Sequence, residues 1–242
     1  MDLTNTTIGE IVRADYRTSD VFKKYGIDFC CGGGKSIAAA CEEQALDADT
    51  IIEEIKKTVA TAKGNDSGLP YDEWPLDLLA NYVQKIHHGY VTKAIPVLTA
   101  YLDKIAQVHG DRHPELFEIK ELYAETAGEL TKHMKKEELM VFPYIQKLMQ
   151  LEGAGATELP TPAFGSIAAL IDQMEEEHEE EGDRFKKIAA LSNNYTPPQD
   201  ACNTYMVAFQ KLKEFEEDLH LHIHLENNIL FPKSKELEKS IG

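Results

Sequence analysis

An all-α fold, a four-helix bundle behind a small helical domain, is predicted by three observations. From Trp74 to Lys239 apolar residues recur in steps of three and four, the period of an amphipathic helix, and no useful stretch alternates with the strand period of two. Turn formers cluster at 109–114, 153–161 and 193–200, cutting that stretch into four long helices. A motif occurs twice: His133-Met134-Lys135-Lys136-Glu137, then four residues, then Phe142-Pro143; and His222-Ile223-His224-Leu225-Glu226, then four residues, then Phe231-Pro232. Each copy sets a histidine and a glutamate about 400° apart around a helix, so both side chains leave one face.

The N-terminal unit, residues 1–63, reads as short helices. Thr7 is placed to cap the first, and Ser19 or Asp20 the second, which stops at Gly26. Asp49 is placed to cap the last, running to about Lys63. Between them Asp28-Phe29-Cys30-Cys31-Gly32-Gly33-Gly34-Lys35 forms a glycine-rich turn opening onto a helix from Ile37 to Ala45. So few short helices make a marginal domain unless they dock on something. Residues 64–73, beginning Gly64-Asn65-Asp66-Ser67-Gly68, have a linker's composition, and the bundle occupies 74–242.

The second bundle helix carries Ile119, Leu122, Thr126, Leu130, His133, Glu137 and Met140 on one stripe, and the fourth carries Leu212, Phe215, Leu219, His222, Glu226 and Ile229. The candidate ligands therefore face the core, where an unpaired glutamate is costly and a metal is one of the few compensations. Proline after each phenylalanine predicts that both motif helices bend or end there. Another histidine lies 45 residues before His133, at His88, and 44 before His222, at His178. His178 shares a stripe with Ile171, Met174, Phe185 and Ile188, and Glu181 shares its phase as an outer or additional ligand. On the first helix, periodicity does not choose between His87 and His88. His220 and His224 are out of phase with the stripe and are expected on a solvated face. Four imidazoles and two carboxylates from four helices make a dinuclear metal centre.

With 42 acidic against 25 basic residues the formal charge is −17, which argues against nucleic acid and anionic membrane surfaces. Met1 to Arg17 has no signal-like apolar region and no segment has the apolar length of a membrane span, so a cytoplasmic location is expected. The four cysteines do not form a disulfide framework, since adjacent Cys30 and Cys31 could bridge only through a strained ring.

These residues resemble the Ric (repair of iron centres) family, the YtfE/ScdA type of hemerythrin-like di-iron proteins that repair iron–sulfur clusters. The likeness is carried by Lys24-Tyr25-Gly26-Ile27-Asp28-Phe29-Cys30-Cys31-Gly32-Gly33, by His133 to Glu138, by Glu175-Glu176-Glu177-His178, and by Leu225 to Pro232. It covers nearly the whole chain and departs from the family pattern at Gly34, which lengthens the thiol turn. The resemblance implies two iron ions in a bridged centre held by His88, His133, Glu137, His178, His222 and Glu226, with Glu137 and Glu226 bridging. Read ungapped from Pro75 to Pro96, it selects His88 over His87.

The function implied is repair of clusters damaged by nitrosative or oxidative stress, with iron supplied through a labile centre and the Cys30/Cys31 pair. Mixed imidazole and carboxylate ligands suit iron, manganese or zinc, and the resemblance selects iron. The set has one imidazole fewer than an oxygen-carrying hemerythrin, which favours exchange. Cys30 and Cys31, near a helix N-terminus and Lys35, are expected to have lowered thiol pKa values and to accept iron or nitrosyl groups. Cys41 and Cys202 read as structural. The partners implied are damaged iron–sulfur proteins, with nitric oxide or dioxygen as small ligands; a homodimer is allowed. Two alternatives stand beside this reading: an enzyme turning over nitric oxide or dioxygen, and a hemerythrin-like oxygen or iron carrier.

Overall fold

The structure is a computed structural model that describes residues 3–60, 69–159, 162 and 165–241. Helix α1 (Ile8–Ala14) starts at a capping box in which the Thr7 hydroxyl accepts from Glu10 N–H and the Glu10 carboxylate accepts from Thr7 N–H. A 3₁₀ turn, Tyr16–Thr18, leads into α2 (Ser19–Lys24), and Gly26 turns the chain with φ +69°. Helix α3 (Ile37–Gln44) is capped by Ser36, and α4 spans Ala48–Ala60. The cap of α4 is Asp47, whose carboxylate accepts from Asp49 and Thr50 N–H, so the sequence expectation of Asp49 is two residues late. The expected extension to Lys63 and the linker residues 64–68 lie outside the described residues.

Four long helical arms follow. The first runs through α5 (Leu76–Tyr82), a π-helical turn (Val83–His88) and α6 (Gly89–His109). The second runs through α7 (Glu115–Lys136), a π-turn (Glu137–Val141) and α8 (Phe142–Gly153). The third is α9 (Ile167–Leu191), and the fourth joins α10 (Asn203–Leu225), a π-turn (Glu226–Leu230) and α11 (Phe231–Ile241). Each arm packs on the next and the last returns to the first, the up-down-up-down bundle. The turn clusters predicted at 109–114 and 193–200 fall at the ends of these arms, as do the described residues, 153–159, of the one predicted at 153–161.

Neither motif helix ends at its proline. Pro143 and Pro232 lack the N–H that an α-helix would donate four residues back, and a wider turn sits just before each. Phe142 N–H reaches back to Glu137 C=O and Phe231 N–H to Glu226 C=O. The widened turns thus begin at the two motif glutamates.

Two apolar clusters fill the interior. One, at the α8/α11 end, gathers Leu79, Val83, Phe142, Ile145, Ile171, Met174, Leu230 and Phe231. The other gathers Leu98, Leu102, Ile119, Phe185, Phe209 and Phe215 from the opposite half of the bundle together with Ile8, Phe22, Phe29 and Cys30 of the N-terminal unit. That shared core is how the marginal N-terminal helices obtain a hydrophobic partner. Among the described residues no helix is long and apolar enough to cross a membrane.

Candidate metal centre

His88, His133, Glu137, His178, His222 and Glu226 meet in the layer between the two apolar clusters, each no more than 3% exposed. Their donor atoms form two groups within 4.8 Å: His88, Glu137, His222 and Glu226 in one, His133, Glu137, His178 and Glu226 in the other. Both glutamates belong to both groups. Glu137 lies 3.3 Å from His88 Nε2 through Oε2 and 3.4 Å from His133 Nε2 through Oε1. Glu226 lies 3.3 Å from His178 Nε2 through Oε2 and 3.2 Å from His222 Nε2 through Oε1. Each carboxylate thus turns one oxygen to each group, as a bridging ligand would.

The outer nitrogens are held away from the centre. His88 Nδ1 meets Glu138 Oε1 at 3.1 Å, His133 Nδ1 meets Glu177 Oε2 at 2.8 Å, and His178 Nδ1 meets Asn227 Oδ1 at 2.7 Å. An imidazole that donates from Nδ1 presents a lone pair at Nε2, the tautomer a metal requires. Sequence reasoning missed Glu138, Glu177 and Asn227, although each adjoins a candidate ligand in the chain and so leans toward the neighbouring arm. His87 holds the fourth such place: its ring stacks on His222 at 5.5 Å and 11°, and its Nδ1 meets Asp218 Oδ1 at 3.0 Å. His88, not His87, joins the clustered donors.

Glu137 and Glu226 have no hydrogen-bond partner at either oxygen, and His222 has none at either nitrogen. Burial alone would raise the pKa of Glu226, but His222 and His178 hold it well below the usual range. Burial opposes a charge on His133, yet Glu137 and Glu177 outweigh it and lift its pKa to about 10. The polypeptide alone would therefore balance its two buried carboxylates with protons on imidazole, which a divalent cation would displace. The donor set, the orphaned oxygens and the fixed tautomers all fit a metal pair.

Glu181 takes another role than the one its phase allows. It is buried, but its carboxylate pairs with Arg184 and it belongs to neither donor group. His220 and His224 are not on a solvated face. His224 is 1% exposed, and both rings pack on Phe29 of the N-terminal unit, at 5.9 and 6.1 Å. Burial lowers their pKa values, to about 4 and about 3, so both are neutral at physiological pH. Their phase points them at the face the N-terminal unit covers, a partner that periodicity within the bundle does not reveal.

Comparison with known proteins agrees with this architecture. Residues 79–234 match the hemerythrin HHE cation binding domain, and residues 4–59 match a domain of unknown function, DUF542. The chain is 33% identical over 232 residues to the iron-sulfur cluster repair protein ScdA of Staphylococcus haemolyticus, spanning 96% of this chain and 99% of that one. It is 32% identical over 239 residues to the iron-sulfur cluster repair protein YtfE of Cronobacter sakazakii, spanning 99% and 100%, and 31% identical to YtfE of Yersinia pseudotuberculosis, spanning 97% and 98%. This chain belongs to the ScdA/YtfE family.

In this member the cysteine loop lies directly against the helices that carry the candidate ligands. Cys31 Sγ donates to the His178 carbonyl at 3.4 Å, and Asn227 Nδ2 donates to Cys30 C=O at 3.4 Å while its Oδ1 holds His178. Asn228 Nδ2 reaches Phe29 C=O at 3.3 Å. The glycines that follow the thiols permit this approach: a Cβ on Gly33 would sit 2.6 Å from Asn228 Oδ1 and 2.8 Å from Phe29 O. Gly32 serves packing as well, since a Cβ there would sit 2.7 Å from Asp28 O, whereas Gly34 faces open space.

The expected thiol activation does not hold for Cys30. Helix α3 begins six residues beyond Cys31 and is capped by Ser36, while Lys35 pairs with Glu43 at 2.6 Å. Cys30 is instead buried, shares a hydrogen bond with Cys31 at 3.9 Å between sulfurs, and lies 3.4 Å from Asp28 Oδ1. The Cys31 contact, burial and the Asp28 charge push its thiol well above the ordinary range. Asp28 is fixed there by N–H donation from Cys30, Cys31 and Gly32. Asp28, Cys30 and Cys31 together form a third cluster of metal-ligating atoms.

Proposed function

We propose that this chain is a di-iron protein that restores damaged iron–sulfur clusters, holding two iron ions between Glu137 and Glu226 and passing iron through the Cys30/Cys31 loop. The carrying observation is the pair of donor groups that share both buried glutamates, with no hydrogen bond to either carboxylate within the protein. In each group two imidazole nitrogens and two carboxylate oxygens leave coordination positions free, and bound iron would supply a labile cation and a place for a small ligand such as nitric oxide or dioxygen.

The remaining roles belong to the polypeptide. Glu138, Glu177 and Asn227 orient the imidazoles, and the two apolar clusters exclude water on either side. Metal exchange needs a route that offers soft donors, and Asp28, Cys30 and Cys31 lie one hydrogen bond from the His178 backbone. A cleft of about 390 Å³, lined by both cysteines, Glu175, Glu179 and Asn227, opens beside them, and its carboxylates favour a cation. Because Cys30 is held protonated, it binds a metal only as its proton leaves, so thiol ligation here strengthens as pH rises. The damaged acceptor proteins are the partners this reading requires.

Metal analysis of the purified chain, with a cluster-restoration assay on a damaged hydro-lyase, tests the reading. About two irons per chain are expected, and Cys30→Ala/Cys31→Ala should keep them while losing restoration. Equal restoration by that variant would move the function wholly onto the bundle. Catalytic release of nitrous oxide from nitric oxide would instead make the protein a turnover enzyme.

A further inference from the structure

The far end of the bundle carries a second thiol arrangement, outside the proposed metal chemistry. Cys202 is exposed and occupies the N-cap of α10, where the unpaired N–H groups of a 23-residue helix favour negative charge. Its position is 20 residues before His222 on that helix, about 30 Å at 1.5 Å per residue. His109, the last residue of α6 and only 5% exposed, aims Nε2 at the sulfur from 3.2 Å.

The tautomer of His109 follows from its other neighbour. Arg112 Nη2 lies 3.4 Å from His109 Nδ1, and a guanidinium can only donate. Nδ1 therefore accepts, Nε2 carries the ring proton, and the sulfur receives it as a hydrogen bond. Arg112 is itself placed by Asp200 Oδ2 at 2.7 Å, while His113 spans Asp200 at 3.0 Å and Glu115 at 3.2 Å. Tyr205 packs against the His109 ring at 5.3 Å. The charged and titratable groups around Cys202 are thus His109, Arg112, His113, Glu115 and Asp200, with the imidazole N–H the one turned onto the sulfur. A buried imidazole aimed outward at an exposed sulfur, with its tautomer set by a third residue, places a hydrogen-bond donor where a thiolate would form.

We propose that Cys202, assisted by His109 and positioned through Arg112, is a reactive thiol that undergoes exchange with small disulfides such as oxidised glutathione. The Cys202 proton leaves to solvent, and the thiolate, accepting from His109 Nε2–H, attacks one sulfur of the disulfide. A new S–S bond joins Cys202 to that sulfur, the old S–S bond breaks, and the departing thiolate takes a proton from water. One thiol is oxidised and one half of the disulfide is reduced, so the balance needs no further reagent. The chain then carries a mixed disulfide at the bundle end remote from the metal groups.

The order of reactivity is the reverse of that expected from the sequence: the exposed Cys202 should react ahead of the buried Cys30 and Cys41. The test treats the full chain with oxidised glutathione at neutral pH, locates the adduct by peptide mass, and follows initial rates with an aromatic disulfide. One adduct per chain is expected first, at Cys202, absent in Cys202→Ser. His109→Phe keeps a ring against Tyr205 but removes the donor, and should slow the reaction roughly tenfold, as for loss of one hydrogen bond to a charged acceptor. Should that variant fold poorly by circular dichroism, Arg112→Met, at an exposed residue, should still slow it, and Arg112→Lys should restore it. First adducts at Cys30 or Cys31, or unchanged rates in the folded His109 and Arg112 variants, would overturn the proposal.

Discussion

The two donor groups share both glutamates but differ in what holds their imidazoles. In the group of His133 and His178 both outer nitrogens are fastened, by Glu177 and by Asn227. In the group of His88 and His222 only His88 is fastened, by Glu138, and His222 has a stacked ring where the others have an acceptor. The pattern runs around the bundle, each arm's ligand touched by the residue beside the next arm's ligand: Glu138 on His88, Glu177 on His133, Asn227 on His178, His87 on His222. A twofold-repeated motif thus builds two unequal donor groups, because the residues just outside the motif differ.

The largest effect comes from what the groups share. Glu137→Ala or Glu226→Ala removes an oxygen from both positions and leaves imidazoles facing one lone carboxylate, so metal content should fall from about two per chain toward none. Glu138→Ala, which leaves both groups complete, should weaken binding by about 10- to 100-fold and preserve the ratio at saturating iron. A Glu137→Ala chain that still holds two irons would end the bridging assignment.

A smaller effect should come from Asn227→Ala. It frees His178 Nδ1, with the same 10- to 100-fold scale expected for one position, and it also removes a tie to the thiol loop at Cys30 C=O. Metal content measured against a chelator series should then show the His133/His178 position losing its advantage. In the unaltered chain that position should be the slower to release, giving two phases of iron loss; a single phase for both ions would show the two groups to be equivalent.

What the sequence made legible is what helical phase determines. His133, Glu137, His178, His222 and Glu226 lie on stripes with Leu130, Met174, Phe185 and Leu219, and phase on a regular helix carries directly into three dimensions. His87 and His88 could not be separated that way, because Val83–His88 is a π-turn and the 3.6-residue period fails there. The surroundings of Cys30 and the burial of His220 and His224 depend on how the N-terminal unit docks, a contact between segments almost 200 residues apart for which local pattern has no signal. Cys202 was illegible for the same reason: its imidazole comes from the end of a different arm.

The finest test of the inequality is at His87, where the expected effect is smallest. Its ring lies nearly parallel to His222, but no hydrogen bond joins them, and a stacked contact is worth about 0.5–1.5 kcal/mol against the larger effect of a fastened Nδ1. His87→Phe keeps the stack, gives up the bond to Asp218, and should leave two irons with release from the His88/His222 position little changed. His87→Ala removes the stack, lets the His222 ring rotate, and should speed release from that position by several-fold while the slow phase stays put. If both substitutions empty both positions, His87 is needed to fold the first arm and not to steady His222. If His87→Ala changes neither phase, the stacked ring contributes nothing and His222 is held by Glu226 and its own helix alone.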